Sequence, residues 1–226
     1  MNNINIIPNT TIYFNSALAL PSLLQLSNKK VVIVTSNAVK DYAQSVSNAV
    51  GKSAECVYTY FLNDGENNKN LESALKLTAF LSDNCISRND LVINVGGGTV
   101  CDLGAFVASV YMRGIKYVNL PTTLLCACDA AIGGKTAIDL NGFKNFWGTF
   151  YQPYAVLIDC DFISSLCDQL ITDGLSEIVK YAIIDRDFCL KLENITSLNQ
   201  IWSNLKQILY DSLVMKSNIV LEDERD

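Results

Sequence analysis

Histidine is absent from this 226-residue chain, so no imidazole is available within it to ligate a metal. Long apolar runs are missing as well. No stretch reaches the roughly 18 consecutive apolar residues that mark a membrane-spanning helix, and no membrane partner is expected. The opening residues, Met1-Asn2-Asn3-Ile4-Asn5, have neither the basic nor the apolar region of a secretion signal. Charged residues make up only 18% of the chain, with a net charge of −6 and a pI near 4.7, a balance that argues against nucleic acid as a partner. Eight cysteines occur, but none in a CxxC pair. Cys56, Cys101, Cys126, Cys128, Cys160 and Cys189 sit in apolar runs, which suits free thiols buried as small hydrophobes in a reducing, cytoplasmic setting. Cys126-x-Cys128 is a poor zinc pair.

What is present is apolar residue, 50% of the chain, enough for a sizeable core. Residues 4–7 and 11–14 read as a short strand pair around Pro8-Asn9-Thr10. The β-branched run Lys30 to Thr35 predicts a buried strand, with Ser36 or Asn37 capping a helix that continues to about Val50. Glu55 to Phe61 predicts a second strand, Asp64 to Asn68 a loop, Leu71 to Leu81 a helix and Leu91 to Val95 a third strand. Strands alternating with helices predict an α/β, Rossmann-like fold with a parallel sheet over residues 1–165. Residues 166–226 carry helical periodicity, at Leu170 to Ile184 and Leu198 to Leu221, with no strand between. This segment reads as the first part of a longer helical domain. Leu205, Ile208, Leu209 and Leu213 are accordingly expected to lack packing partners and stay exposed.

Site-building chemistry is concentrated between residues 96 and 145. The strand Leu91 to Val95 runs into Gly96-Gly97-Gly98-Thr99. Glycines at a helix start let a backbone approach a ligand, and unpaired N–H groups with the helix dipole favour an anion there. At the C-terminal ends of parallel strands this is where nucleotides bind. A tight turn needing positive φ is the plainer alternative, but one glycine would serve it. Asp102 is expected in the first turn of the helix, either compensating the dipole or reaching a ribose or nicotinamide. Gly134-Lys135-Thr136 looks like the tail of a P-loop, yet Asp129 stands where that motif requires glycine. Asp129, Lys135, Lys144 and Asn145 remain as a polar cluster whose lysines, in a glycine-containing loop, suit a phosphorylated or carboxylated substrate. Glu177 and Lys180, three residues apart on a helix, read on spacing alone as a surface ion pair.

Taken in order, several stretches resemble the 3-dehydroquinate synthase family within the sugar-phosphate cyclases. They are Asp64-Gly-Glu-Asn-Asn-Lys69, Gly96-Gly-Gly-Thr-Val-Cys-Asp102, Tyr111-Met-Arg-Gly114, Leu120-Pro-Thr-Thr-Leu-Leu125, Asp129-Ala-Ala-Ile-Gly-Gly-Lys-Thr136, Lys144-Asn145, Gln152-Pro153, Leu157-Ile-Asp159 and Gly174-Leu-Ser-Glu-Ile-Val-Lys-Tyr181. The resemblance implies an NAD site drawing on Asp64, Glu66, Lys69, Gly96, Gly97, Gly98, Thr99, Asp102, Thr122, Thr123, Lys135, Lys144 and Ser165. It implies a substrate pocket, for a small phosphorylated keto-acid sugar, from Asp129, Lys135, Lys144, Asn145, Lys180 and Lys216. Glu177 matches a ligand to a divalent metal, zinc or cobalt. Arg113 matches an arginine that in family homodimers reaches the neighbouring subunit's site. Cys101 stands where the family has glycine, and Ala130-Ala131 where it has paired serines. The two histidines that complete the family's metal site are missing, and Glu177 alone cannot hold a catalytic zinc. A sister cyclase for another sugar phosphate, an inactive NAD-binding remnant, and a metal-dependent alcohol or polyol dehydrogenase are the competing interpretations.

Overall fold

The structure, a computed structural model, describes residues 4–7 and 10–223, so Pro8 and Asn9 lie outside the described residues. In chain order the strands are β1 (Ile4–Ile7), β2 (Thr10–Phe14), β3 (Lys30–Ser36), β4 (Cys56–Leu62), β5 (Leu91–Gly96), β6 (Lys116–Pro121), β7 (Lys135–Leu140), β8 (Phe143–Phe150) and β9 (Ala155–Ile158). The helices are α1 (Leu20–Leu23), α2 (Lys40–Val50), α3 (Leu71–Asp83), α4 (Gly98–Val110), α5 (Cys160–Ile163), α6 (Asp168–Ile184), α7 (Arg186–Leu192) and α8 (Leu198–Glu222). Seven strands form the main sheet in the order β1-β2-β9-β6-β5-β3-β4. Only the β1–β2 pair within it is antiparallel.

The β-branched runs form this sheet because both faces are covered. Val31 and Ile33 point into a cluster with α1 and α2, while Val32 and Val34 point into another with α3 and α4. Helix α4 is apolar nearly all round, since β5 lies under one side and β7 over another. It approaches β5 so closely that a Cβ on Gly104 would come within 1.9 Å of Asn94 Oδ1. A third cluster joins Ile12, Phe14, Val156 and Ile158 of the sheet to Ile171, Ile178, Tyr181, Leu205, Leu209 and Leu213 of the later helices.

The structure departs from the sequence-based expectations in four places. Leu205, Ile208, Leu209 and Leu213 are not exposed but buried, at 2%, 5%, 0% and 0% accessibility, because α8 packs against α6 and the turn before Ala130. Neither Ser36 nor Asn37 caps α2: Asn37–Val39 winds as a 3-10 turn, and α2 starts after Val39 with no side-chain cap. Lys135 to Asn145 is not a loop but a hairpin, β7 and β8, turning at Asn141-Gly142 with φ of 53° and 82°. Asn-Gly is the residue pair such a two-residue turn favours. Helix α7 was unforeseen, and Cys189 on it is exposed rather than buried, whereas Cys101, Cys126 and Cys128 are buried.

Candidate functional site

Strand β5 runs out at Gly96 and α4 begins at Gly98, with Gly97 as an N-cap that supplies no side-chain bond. The first N–H groups of α4 therefore receive no side-chain cap, the arrangement that suits an anion. None of the three glycines has positive φ, so the tight-turn alternative does not explain them. They have separate reasons. A Cβ on Gly96 would come within 2.5 Å of Val100 Cβ, so packing demands that glycine. On Gly97 a Cβ would press on Thr123 Cγ2 at 3.3 Å, while on Gly98 the nearest atom is Ala130 Cβ at 4.0 Å. Gly98 is thus the one that keeps space open. Thr122 is buried and its N–H donates to Gly96 O, while the Thr123 hydroxyl accepts from Cys126 N–H.

Asp102 lies in the second turn of α4, not the first, where the dipole argument weakens and a partner takes over. That partner is Lys69, buried at 3% accessibility. Its ammonium donates to Asp102 Oδ2 at 3.1 Å and to Asn145 Oδ1 at 2.6 Å. Glu66 lies 3.7 Å and Asp139 4.0 Å away. Burial pushes the Asp102 carboxyl up to about 6, with Lys69 pulling the other way and Glu66 and Asp139 adding to the rise. Glu66 also pairs with the exposed Lys144 at 3.5 Å and accepts from the Thr99 hydroxyl at 3.4 Å. Asp64 turns elsewhere, accepting from Ala38 N–H beyond the end of β3.

A second polar centre surrounds Asp129, in a π-helical turn spanning Cys126–Ala130. Such turns recur at functional sites. Asp129 Oδ1 accepts from Lys216 at 2.5 Å and from the Tyr181 hydroxyl at 3.2 Å, and Oδ2 faces Lys180 at 3.7 Å. Burial opposes ionisation here, but Lys216, Lys180 and the Tyr181 hydroxyl overcome it and hold the carboxyl below its ordinary value. Lys180 also pairs with Glu177.

The two centres open on one cleft of about 410 Å³, lined in part by Asp102, Asp129, Lys135, Asn145, Phe150 and Lys216. Arg113 is not brought there. It is exposed beyond the far end of α4, roughly 20 Å along that helix from Gly98. Ser165, also exposed, follows α5 and donates to Phe162 O. Sequence reasoning missed Asp139 and Tyr181, which act through contacts 6 and 52 residues distant. The nearest available signal for Tyr181 was its position at the end of the Glu177–Lys180 motif. Glu177 and Asp129 share the Lys180 ammonium, and among the described residues no three His, Cys, Asp or Glu side chains converge as metal ligands. The described residues therefore do not fit a zinc or cobalt ion by themselves. Among the described residues no helix is long and apolar enough to cross a membrane.

Comparison with known proteins finds relatives in sequence and in fold. The 3-dehydroquinate synthase of Sulfurisphaera tokodaii is 40% identical over 214 residues, covering 92% of this chain and 58% of that protein. That of Clostridium acetobutylicum is 36% identical over 202 residues, covering 88% and 57%. The chain thus spans little more than half the length of these relatives. A 2-deoxy-scyllo-inosose synthase complexed with carbaglucose-6-phosphate, NAD+ and Co2+ shares the fold with a TM-score of 0.83 at 21% identity, over 97% of this chain and 62% of that one. The 2-epi-5-epi-valiolone synthase of Streptomyces hygroscopicus, with NAD+ and Zn2+ bound, does so at 0.73 and 22%, over 98% and 64%. The 3-dehydroquinate synthase N-terminal family profile matches residues 59–173, just over half of the sequence, and the chain belongs to the 3-dehydroquinate synthase family.

Proposed function

We propose that this chain forms the nucleotide- and substrate-binding part of a 3-dehydroquinate synthase. The reaction is the cyclisation of 3-deoxy-D-arabino-heptulosonate 7-phosphate to 3-dehydroquinate with release of phosphate. The observation that carries the proposal is the single cleft in which the Asp102–Asn145 centre meets the Asp129–Lys216 centre. Relatives of that name at 36–40% identity support the choice of substrate.

The open space at Gly98, beside the uncapped N–H groups of α4, suits the diphosphate of NAD. Glu66, Lys69, Asp102, Thr122 and Thr123 would hold the remainder of the dinucleotide. NAD, when bound, supplies a hydride acceptor that is restored within the same turnover, so there is no net redox change. The chain's own groups bind and orient the substrate. Lys135 and Lys216 present positive charge to phosphate and carboxylate. Asp129 is ionised at neutral pH and acts as a fixed anion that aims Lys216 and Lys180. Asp102, its carboxyl pushed up to about 6 by burial, is placed to exchange a proton near neutrality. Arg113, away from its own cleft, would serve the cleft of a second copy in a homodimer. Among the described residues no set of metal ligands converges, and the 226 residues alone are expected to lack turnover.

Calorimetric titration with NAD tests the proposal. One-to-one binding is expected, and the absence of binding would overturn the nucleotide assignment. Phosphate release from the heptulosonate phosphate by the purified 226-residue chain would show that the metal requirement has been misjudged.

A further inference from the structure

We propose that Asp139 is a positioning residue that clamps Asn145 in the cleft and ties it to Lys69. The inference rests on the nucleotide and substrate assignment above only for its functional consequence. Asp139 sits where the β7–β8 register slips, between Ile138 and Leu140. Between Ile138↔Trp147 and Leu140↔Phe143 this β7 residue faces Lys144, Asn145 and Phe146, so the bulge lies on β8 with Asn145 at its middle. Asp139 itself is held by the segment that carries Lys69. Its N–H donates to Lys69 O at 2.8 Å, and it bridges Asn70 in parallel. Its Oδ1 accepts the Asn145 N–H at 2.8 Å and lies 4.0 Å from the Lys69 ammonium.

Asn145 needs such a hold. Its φ is 51°, in the left-handed region that a non-glycine residue occupies at a cost and that clusters at ligand sites. Its side-chain oxygen is drawn to Lys69 at 2.6 Å while its amide is drawn to Asp139. One carboxylate thus fixes the backbone of a cleft residue and stands beside the ammonium that also binds Asp102. Nucleotide-side and substrate-side groups are coupled through it. Glu66–Lys144 alone would join the same two segments more loosely, across exposed side chains.

Two variants separate the clamp from a merely structural role. Asp139→Asn keeps an oxygen that can accept the Asn145 N–H, and Asp139→Ala removes it. In 15N-resolved hydrogen exchange, the Asn145 amide should stay protected in the parent and in Asp139→Asn. In Asp139→Ala it should exchange roughly tenfold to a hundredfold faster, the loss of one hydrogen bond to a charged group, with the amides of β3 and β5 unchanged. NAD affinity should fall about fivefold or more in Asp139→Ala and recover most of that in Asp139→Asn. Unchanged Asn145 exchange in Asp139→Ala, or identical behaviour of the two variants, overturns the clamp. If no protein binds NAD, the nucleotide assignment fails, while the exchange data still decide whether Asp139 holds Asn145.

Discussion

Replacing Asp102 with asparagine should stabilise the protein at pH 7.5 and leave it unchanged near pH 3.5. The carboxyl is raised from 3.8 to about 6, first by burial, against the opposing pull of Lys69. In the unfolded chain Asp102 loses its proton near 3.8, and in the folded one near 6. Between those values the folded state keeps a proton that the unfolded state has shed. Its stabilising effect is complete below 3.8 and gone once the pH has passed 6. At neutral pH the wild type therefore carries a poorly solvated charge worth about 3 kcal/mol relative to its neutral form. Asparagine mimics that neutral form, keeps an oxygen for Lys69, and leaves the lysine its contacts with Glu66, Asp139 and Asn145. For a chain of this size the gain corresponds to a rise in Tm of roughly 6–12 °C. Urea unfolding at pH 7.5 and at pH 3.5 is the assay. A variant no more stable than wild type at pH 7.5, or a gain that persists undiminished at pH 3.5, refutes the reasoning. The expected cost is functional, since a charge retained against stability in a cleft is the usual mark of a working group.

Gly98→Val should weaken NAD binding at least tenfold in calorimetry and leave Tm within about 2 °C, because its Cβ meets nothing closer than 4.0 Å. Gly104→Ala should do the opposite, lowering stability by roughly 1–3 kcal/mol or more in thermal melts, since the new methyl collides with Asn94 inside the core. Lys216→Met should cost roughly 1.5–3 kcal/mol at pH 7 by removing the partner of a half-buried carboxylate. Asp129 sits below its ordinary value, so its contribution is present at neutral pH and lost on acidification, and the gap between Lys216→Met and wild type should close as the pH falls. Zinc titration of the 226-residue chain should reveal no tight stoichiometric site, and Glu177→Ala should leave that result unchanged.

The strands were legible where the chain is β-branched and bounded. Lys30 to Thr35 and Leu91 to Val95 became β3 and β5 almost residue for residue. The spacing from Leu71 likewise marked α3, whose Asn70 cap accepts from Ser73 N–H. The hairpin was hidden because Gly133, Gly134, Lys135 and Lys144 invited a ligand-loop interpretation that masked Asn141-Gly142, a turn signal in plain view. Site residues could be named from their chemistry, but their pairing could not. Lys69 and Asp102 are separated by 33 positions and Asp129 and Lys216 by 87, so no local spacing joins them. The leucines of α8 are buried because the helix folds back onto the sheet at Ile12 and Phe14 of β2, a layer that no local spacing announces.

That fold-back bears on how the molecule comes apart. Because one apolar cluster is shared by β2, β9, α6 and α8, the helices after residue 166 cannot melt while the sheet stays intact without baring Ile12, Phe14, Val156 and Ile158, all at or below 4% accessibility. Denaturation should accordingly proceed as one transition rather than two. Cleavage of the polypeptide between α5 and α6 would leave a core open to water on one side instead of a freestanding nucleotide-binding module.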